Sequence, residues 1–244
     1  TSAFVASYCG VKVAKHGNRT ATRKSGSADF LEEAGVSLSL KPEEIAQCIE
    51  EVGIGFMFAP SHHSAMKHVI GPRKEIGQKS IFNILGPLTN PASAKRQLMG
   101  VYDKKWMLPI AQVLKELGSE HLLIVHSEDG LDEISIAAPT SVVEMKKGTI
   151  TEFQICPEDF GFETSSLGGL EANSPEQSLQ IANLALRGDH KAASAMVAMA
   201  AGAALYISDI SDSLDSGVEL AKDCIKEGGG ISKLNELIDF SSKF

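Results

Sequence analysis

Short apolar, β-branched runs alternate along this chain with stretches of helical spacing, and the last third is helical throughout. That alternation constrains the fold more than any other feature, because strand–helix repetition builds a sheet covered by helices. Val11-Lys12-Val13-Ala14 reads as a strand. Ser27 caps a helix that runs through Leu31 and Glu33 to Gly35. Pro42 opens another, whose Ile45, Ile49 and Val52 form an apolar stripe ending at Gly53. Gly55–Ala59 is a buried strand, and Ser61–Gly77 a broken, short helical region. Met99–Tyr102 is a strand and Trp106–Leu117 a helix stopped by Gly118, while His121–His126 is a clearly buried strand. Ser141–Met145 and Thr149–Phe153 flank Lys147-Gly148 as a hairpin. Helices follow over Pro175–Leu186, Ala192–Ile207, Gly217–Ile225 and Ile231–Ile238, the second rich enough in Ala and Gly to pack closely against its neighbours. The expected class is α/β, a mostly parallel central sheet flanked by helices, with ligands at the carboxyl ends of the strands.

With 244 residues, the chain can bury a substantial core. A formal charge of −8 opposes general affinity for nucleic acid, which needs a basic face. Cys9, Cys48, Cys156 and Cys224 are scattered and contain no C-x-x-C pair, so neither a zinc motif nor a disulfide framework is expected and a reducing compartment is. No apolar stretch has the length of a membrane span, which needs about 20 residues. The chain opens at Thr1 inside the apolar run Ala3-Phe4-Val5-Ala6 and reads as lacking an N-terminal part.

Two polar knots follow apolar strands. The first, Lys15-His16-Gly17-Asn18-Arg19 with Arg23, Lys24, Ser25, Gly26 and Ser27, combines cations, hydrogen-bonding side chains and glycines that admit a ligand close to the backbone. A helix beginning near Ser27 adds anion-favouring N–H groups. A solvated basic loop is the plain alternative. In the second knot, Asp129-Gly130-Leu131-Asp132-Glu133, adjacent carboxylates can serve one site only from an irregular turn, which Asp129-Gly130 supplies. Such a pair suits Mg2+, which takes a few carboxylate oxygens and fills its shell with water and substrate phosphate; a plain exposed turn is equally compatible with the residues. Arg73 offers a planar fork for carboxylate or phosphate, ahead of the rigid stretch Ile81 to Pro91. Adjacent His62 and His63 do not converge on one ion from regular structure.

Taken together, these motifs resemble anthranilate phosphoribosyltransferase: Lys15 to Arg19 with Ser25 to Asp29, Arg73-Lys74-Glu75, Phe82 to Pro87, and Asp129 to Glu133. The resemblance extends over nearly the whole chain, to Gly168-Gly169 and Gly217 to Ala221. It implies a nucleoside phosphorylase/phosphoribosyltransferase-like catalytic domain that moves the phosphoribosyl group of phosphoribosyl pyrophosphate onto the amine of anthranilate, in tryptophan biosynthesis. It also implies that Lys15, His16, Gly17, Asn18, Arg19, Thr20, Ala21, Thr22, Arg23 and Ser27 hold phosphoribosyl pyrophosphate. Asn18 and Arg73 would contact anthranilate, with His16, His63 and Pro87 walling the pocket, and Asp132 and Glu133 would bind Mg2+. No covalent nucleophile is expected. The parent is expected to be a homodimer in the cytoplasm, or in the plastid of a plant or alga, with no nucleic-acid or membrane partner.

Departures from the family pattern carry their own expectations. The family's Gly-Thr-Gly-Gly-Asp loop and its Asn-x-Ser-Thr turn have no counterpart, so residues 1–244 are expected to be the catalytic domain without most of the small helical domain, to which residues ~60–80 contribute. The isolated chain is therefore expected to lack appreciable turnover. Arg23 stands where serine is usual, Ser64 where proline is, Pro72 where valine is, and Lys79-Ser80 replace Arg-Thr. A pyrimidine nucleoside phosphorylase would carry Ser-Gly-Arg-Gly and Thr-Gly-Gly-Thr, which are missing from this sequence. A non-catalytic nucleic-acid-binding relative should be basic, with no reason to keep Arg73 and Asp132-Glu133.

Overall fold

A computed structural model describes residues 1–19, 25–62, 85–86 and 88–244. Helix α1 (Ser2–Tyr8) leads into strand β1 (Val13–Gly17), followed by α2 (Ser27–Glu33), α3 (Pro42–Gln47), β2 (Ile54–Phe58) and the short α4 (Ala59–His62). Then come β3 (Arg96–Gly100), α5 (Met107–Glu116), β4 (His121–Ser127), β5 (Thr140–Lys146) and β6 (Thr149–Ile155). Four helices close the chain: α6 (Pro175–Arg187), α7 (Lys191–Ile207), α8 (Leu214–Lys226) and α9 (Gly229–Ser241).

The expected α/β class holds, and its pairing has more detail than a single parallel sheet. Among the described residues, β1 and β2 pair in parallel as one sheet, and β3-β4-β5-β6 form another. In the second sheet β3–β4 is parallel, whereas β5 returns antiparallel onto β4 and turns into β6 through Lys147 and Gly148, both at positive φ. Positive φ at both central residues is the geometry that matches a two-residue turn to strand twist.

Strand β4 explains the layering. Leu123 and Val125 point into the main core with the C-terminal helices, and Leu122 and Ile124 point the other way, onto Met107, Ile110 and Leu114 of α5. A strand buried on both faces needs a continuous apolar run, which is what its sequence supplies. The close packing expected of the Ala/Gly-rich helix is also present. A Cβ built at Gly202 of α7 would lie 2.5 Å from the Val218 backbone nitrogen, and one at Gly217 of α8 would lie 2.5 Å from the Gly202 carbonyl oxygen. The two backbones touch.

Boundaries shift where tertiary pairing extends a pattern. Strand β1 begins at Val13 rather than Val11 and runs on to Gly17, in register with Ile54–Phe58, so Lys15, His16 and Gly17 belong to the strand and not to the turn after it. Ser27 is the first helical residue of α2 and not its cap. Gly26 occupies the cap position, and its N–H donates to Asp29 Oδ2 at 2.9 Å. The stripe from Ile45 to Val52 is a single helical segment whose last turn, Cys48–Val52, widens to π geometry before Gly53 turns left-handed. Of the region Ser61–Gly77, only residues 61 and 62 lie within the described residues.

A buried polar cluster fastens the sheet to α7 at the end opposite the polar knots. His121 Nε2 lies 2.7 Å from Glu144 Oε1, and the Tyr206 hydroxyl donates to the same oxygen at 2.8 Å. Lys146 donates to that hydroxyl. Burial lowers the His121 pKa below its ordinary 6.5, outweighing the Glu144 hydrogen bond that favours the cation. The unfolded chain therefore binds more protons as pH falls through 6.5, and stability present above that pH is lost on its acid side. In urea unfolding, the drop in midpoint between a unit above and a unit below about pH 6.5 is expected to be larger in the native chain than in His121→Gln. An equal drop in both would rule out His121 as its source.

Candidate functional site

Parallel pairing puts the carboxyl ends of β1 and β2 side by side, and those of β3 and β4 likewise. Beyond β1, Asn18 Oδ1 accepts a hydrogen bond from the Arg19 amide at 2.8 Å, a tight turn that leaves both side chains exposed. Gly17 is seated against the Phe56 ring: a Cβ there would approach the ring to 2.9 Å and the Ser27 Cβ to 3.6 Å. The strand end and the start of α2 are thus adjacent, as a shared cradle requires. From the distal motif, Asn90 donates to the Ala14 carbonyl at 3.3 Å and ties that segment to β1. Nothing in the sequence singled out Asn90; the Asn-Pro step is its only signal.

Arg19 is committed to α2. Its guanidinium contacts Asp29 Oδ1 at 2.9 Å and Glu32 Oε1 at 2.8 Å, and it lies over the Phe58 ring. Hydrogen bonds to Glu32 and then Asp29 raise its already high pKa, and the Arg19 hydrogen bond lowers that of Glu32. Its guanidinium ties the residues after β1 to the helix.

The second knot is built around its first acid. Asp129 Oδ2 accepts from the Ser135 hydroxyl at 2.6 Å and Oδ1 from the Leu131 amide at 3.1 Å. The Ser127 amide donates to the Leu131 carbonyl, and the Gly130 amide to the Ser127 carbonyl, both at 2.9 Å. Burial works to raise the Asp129 pKa, but hydrogen bonds from Ser135, Ser127 and Leu131 outweigh it and hold the carboxyl below its usual range. Exposed as it is, Asp129 clasps the turn through these bonds. Asp132 and Glu133, the next acids, are exposed on the irregular turn that follows, before buried Ile134.

Both knots meet around Thr1. One cleft is lined by Thr1, Lys15, Ser27 and Phe56. A second, of about 300 Å³, is lined by Thr1, Glu133, Ile134 and residues of α6 and α7. The cation-bearing strand end and the carboxylate-bearing turn therefore border two clefts that share Thr1.

A pair of exposed carboxylates is a hard, incomplete donor set. Among the described residues no three His, Cys, Asp or Glu side chains converge. The pair fits Mg2+, which accepts few protein oxygens and keeps sites for water and phosphate, and it does not fit the closed N/S set of structural zinc. Thr20, Ala21, Thr22, Arg23, His63, Arg73 and Pro87, all expected at the site, lie outside the described residues. His62 is within them, its Nδ1 3.0 Å from the Phe58 carbonyl oxygen, a local structural bond.

Residues 1–231 match the model of the glycosyl transferase family, a/b domain. An anthranilate phosphoribosyltransferase of Marinomonas sp. (strain MWYL1) is 55% identical over 245 residues, covering 100% of this chain and 71% of that protein. That of Ectopseudomonas mendocina (strain ymp) is 54% identical over 248 residues, with the same coverage. Among solved structures, the Thermus thermophilus anthranilate phosphoribosyltransferase superposes with a TM-score of 0.92 at 40% identity, covering 99% of this chain and 72% of that one. The Saccharomyces cerevisiae enzyme in complex with PRPP and Mg gives 0.88 at 26% identity, covering 100% and 69%.

Proposed function

From the premise that this chain belongs to the anthranilate phosphoribosyltransferases of the glycosyl transferase family, we propose how its residues divide the work. The enzyme is a pentosyltransferase that transfers the phosphoribosyl group of phosphoribosyl pyrophosphate to anthranilate, giving N-(5-phosphoribosyl)anthranilate and pyrophosphate in tryptophan biosynthesis, with Mg2+ as its metal.

In this proposal Lys15 supplies positive charge to the diphosphate, and Gly17 keeps the strand end free of a side chain where the ligand passes. His16, Asn18, Arg19, residues 20–23 and Ser27 complete the cradle, with Arg19 also paired to Asp29 and Glu32 of α2. Asn18 stands between the two substrates and orients the amine; Arg73 forks onto the anthranilate carboxylate, and His16, His63 and Pro87 wall its ring. Asp132 and Glu133 hold the metal, which when bound supplies neutralisation of the departing diphosphate. No side chain forms a covalent bond. Rate comes from orientation and from charge placed where the leaving group develops it.

The observation that carries this division is that Thr1 lines both clefts, one walled by Lys15 and Ser27 and the other by Glu133 and Ile134. Calorimetric titration with phosphoribosyl pyrophosphate should give binding that requires Mg2+, weakened by about tenfold in Lys15→Ala, the worth of one charge-assisted contact. Binding indifferent to both Mg2+ and Lys15 would contradict it. The same proposal extends to the homodimer, to a contribution of residues ~60–80 to a small helical domain, and to a cytoplasmic or plastid location. Among the described residues, no helix is long and apolar enough to cross a membrane.

A further inference from the structure

The turn bearing Asp132 and Glu133 does not stand free after β4; it crosses back over the end of the neighbouring strand. Gly100, the last residue of β3, lies directly beneath it. A Cβ built at Gly100 would fall 1.6 Å from the Asp132 carbonyl oxygen and 2.6 Å from its carbonyl carbon. Those are backbone atoms, so no rotamer change can relieve the overlap. The turn is closed by Asp129, through Ser135 Oγ and the Leu131 amide. Buried Ile134 fixes the chain just beyond Glu133. The two exposed carboxylates are thus held by a support below, Gly100, and a clasp behind, Asp129.

We propose that Gly100 and Asp129 are positioning residues for the carboxylate pair: Gly100 by admitting the Asp132 backbone onto the end of β3, Asp129 by closing the turn from within. The inference rests on the assignment of Asp132 and Glu133 to the metal. Groups that orient metal ligands without touching the ion contribute about 10–100-fold to affinity, and a turn lifted off β3 would separate the two carboxylates from their common approach.

The test uses the full chain and Mn2+ alone, with bound metal read from the relaxation of water protons. Gly100→Ala and Asp129→Ala should each weaken Mn2+ binding about tenfold while near-ultraviolet circular dichroism and metal-free binding of inorganic pyrophosphate, which depends on the Lys15 loop, stay unchanged. Unaltered Mn2+ affinity in a folded variant overturns the inference. So does a parallel loss of metal-free pyrophosphate binding, which would report general disruption. If one variant fails to fold, the other decides the outcome. Asp132→Ala/Glu133→Ala separates the two layers of the argument: Mn2+ binding that survives there removes the assignment itself, whereas binding lost there but intact in Gly100→Ala and Asp129→Ala removes only the positioning role.

Discussion

In the parent protein, alanine at both Asp132 and Glu133 is expected to cut Mg2+-dependent phosphoribosyl transfer by about a thousandfold, the scale of losing the main stabiliser of a developing charge. Diphosphate is a poor leaving group unless its charge is neutralised, and the attacking aromatic amine is weakly basic, so little push from the nucleophile compensates. Lys15 alone provides a point charge on a flexible stem, which a chelated metal exceeds in both charge and fixity. The two acids sit on an exposed turn, so their removal leaves the Asp129 clasp and the core beneath intact. The loss should therefore appear in turnover and metal binding while thermal stability is retained. Turnover within tenfold of the native value, measured as release of pyrophosphate, would mean that other groups hold the metal.

The largest effect on stability is expected at the crossing of α7 and α8. Helix propensity favours alanine over glycine by about 1 kcal/mol in a helix interior, so Gly202→Ala should stabilise if only local structure mattered. Here the added methyl would stand 2.5 Å from the Val218 nitrogen and 2.6 Å from its Cα, so the helices must separate. Overpacking against backbone costs about 3 kcal/mol, which leaves a net loss of about 2 kcal/mol after the propensity gain and lowers the melting temperature by roughly 4–8 °C for a chain of this size. A melting temperature at or above the native value would show that the crossing relaxes without cost.

Much of the fold was legible because its signals are local. Apolar runs marked the strands, although β3 spans Arg96–Gly100 and not the expected Met99–Tyr102 because Arg96 and Gln97 pair with His121 and Leu122. Lys147-Gly148 marked the hairpin, and the glycines after α3 and α5 marked their stops, left-handed in the structure at Gly53 and Gly118. What was not legible depends on chain segments far apart. Strand β1 runs on through Lys15 to Gly17 because Phe56, Met57 and Phe58 are there to pair with it, a partner no periodicity reveals. Ser27 loses the cap position to Gly26 because the Asp29 carboxylate satisfies the Gly26 amide.

The candidate site divides in the same way. Residue types identified Lys15, Asn18 and the acidic turn, since those groups suit phosphate and magnesium. Sequence singled out the adjacent pair Asp132-Glu133 but could not show that Asp129 is engaged by Ser135, six positions further on. Nor could it show that Arg19 is held by Asp29 and Glu32, or that Gly100 underlies Asp132, across thirty-two positions of chain.

The central claim is that the Lys15 strand end and the Asp132-Glu133 turn are two walls of one site. The most direct test is the coupling between metal and substrate, measured as Mn2+ affinity with and without phosphoribosyl pyrophosphate and corrected for their association in solution. Binding at one shared site is reciprocal. The account predicts that phosphoribosyl pyrophosphate tightens Mn2+ binding to the native chain, and that Lys15→Ala and Asp132→Ala/Glu133→Ala each abolish the coupling. Mn2+ affinity that is indifferent to phosphoribosyl pyrophosphate, or coupling that survives both changes, would contradict it.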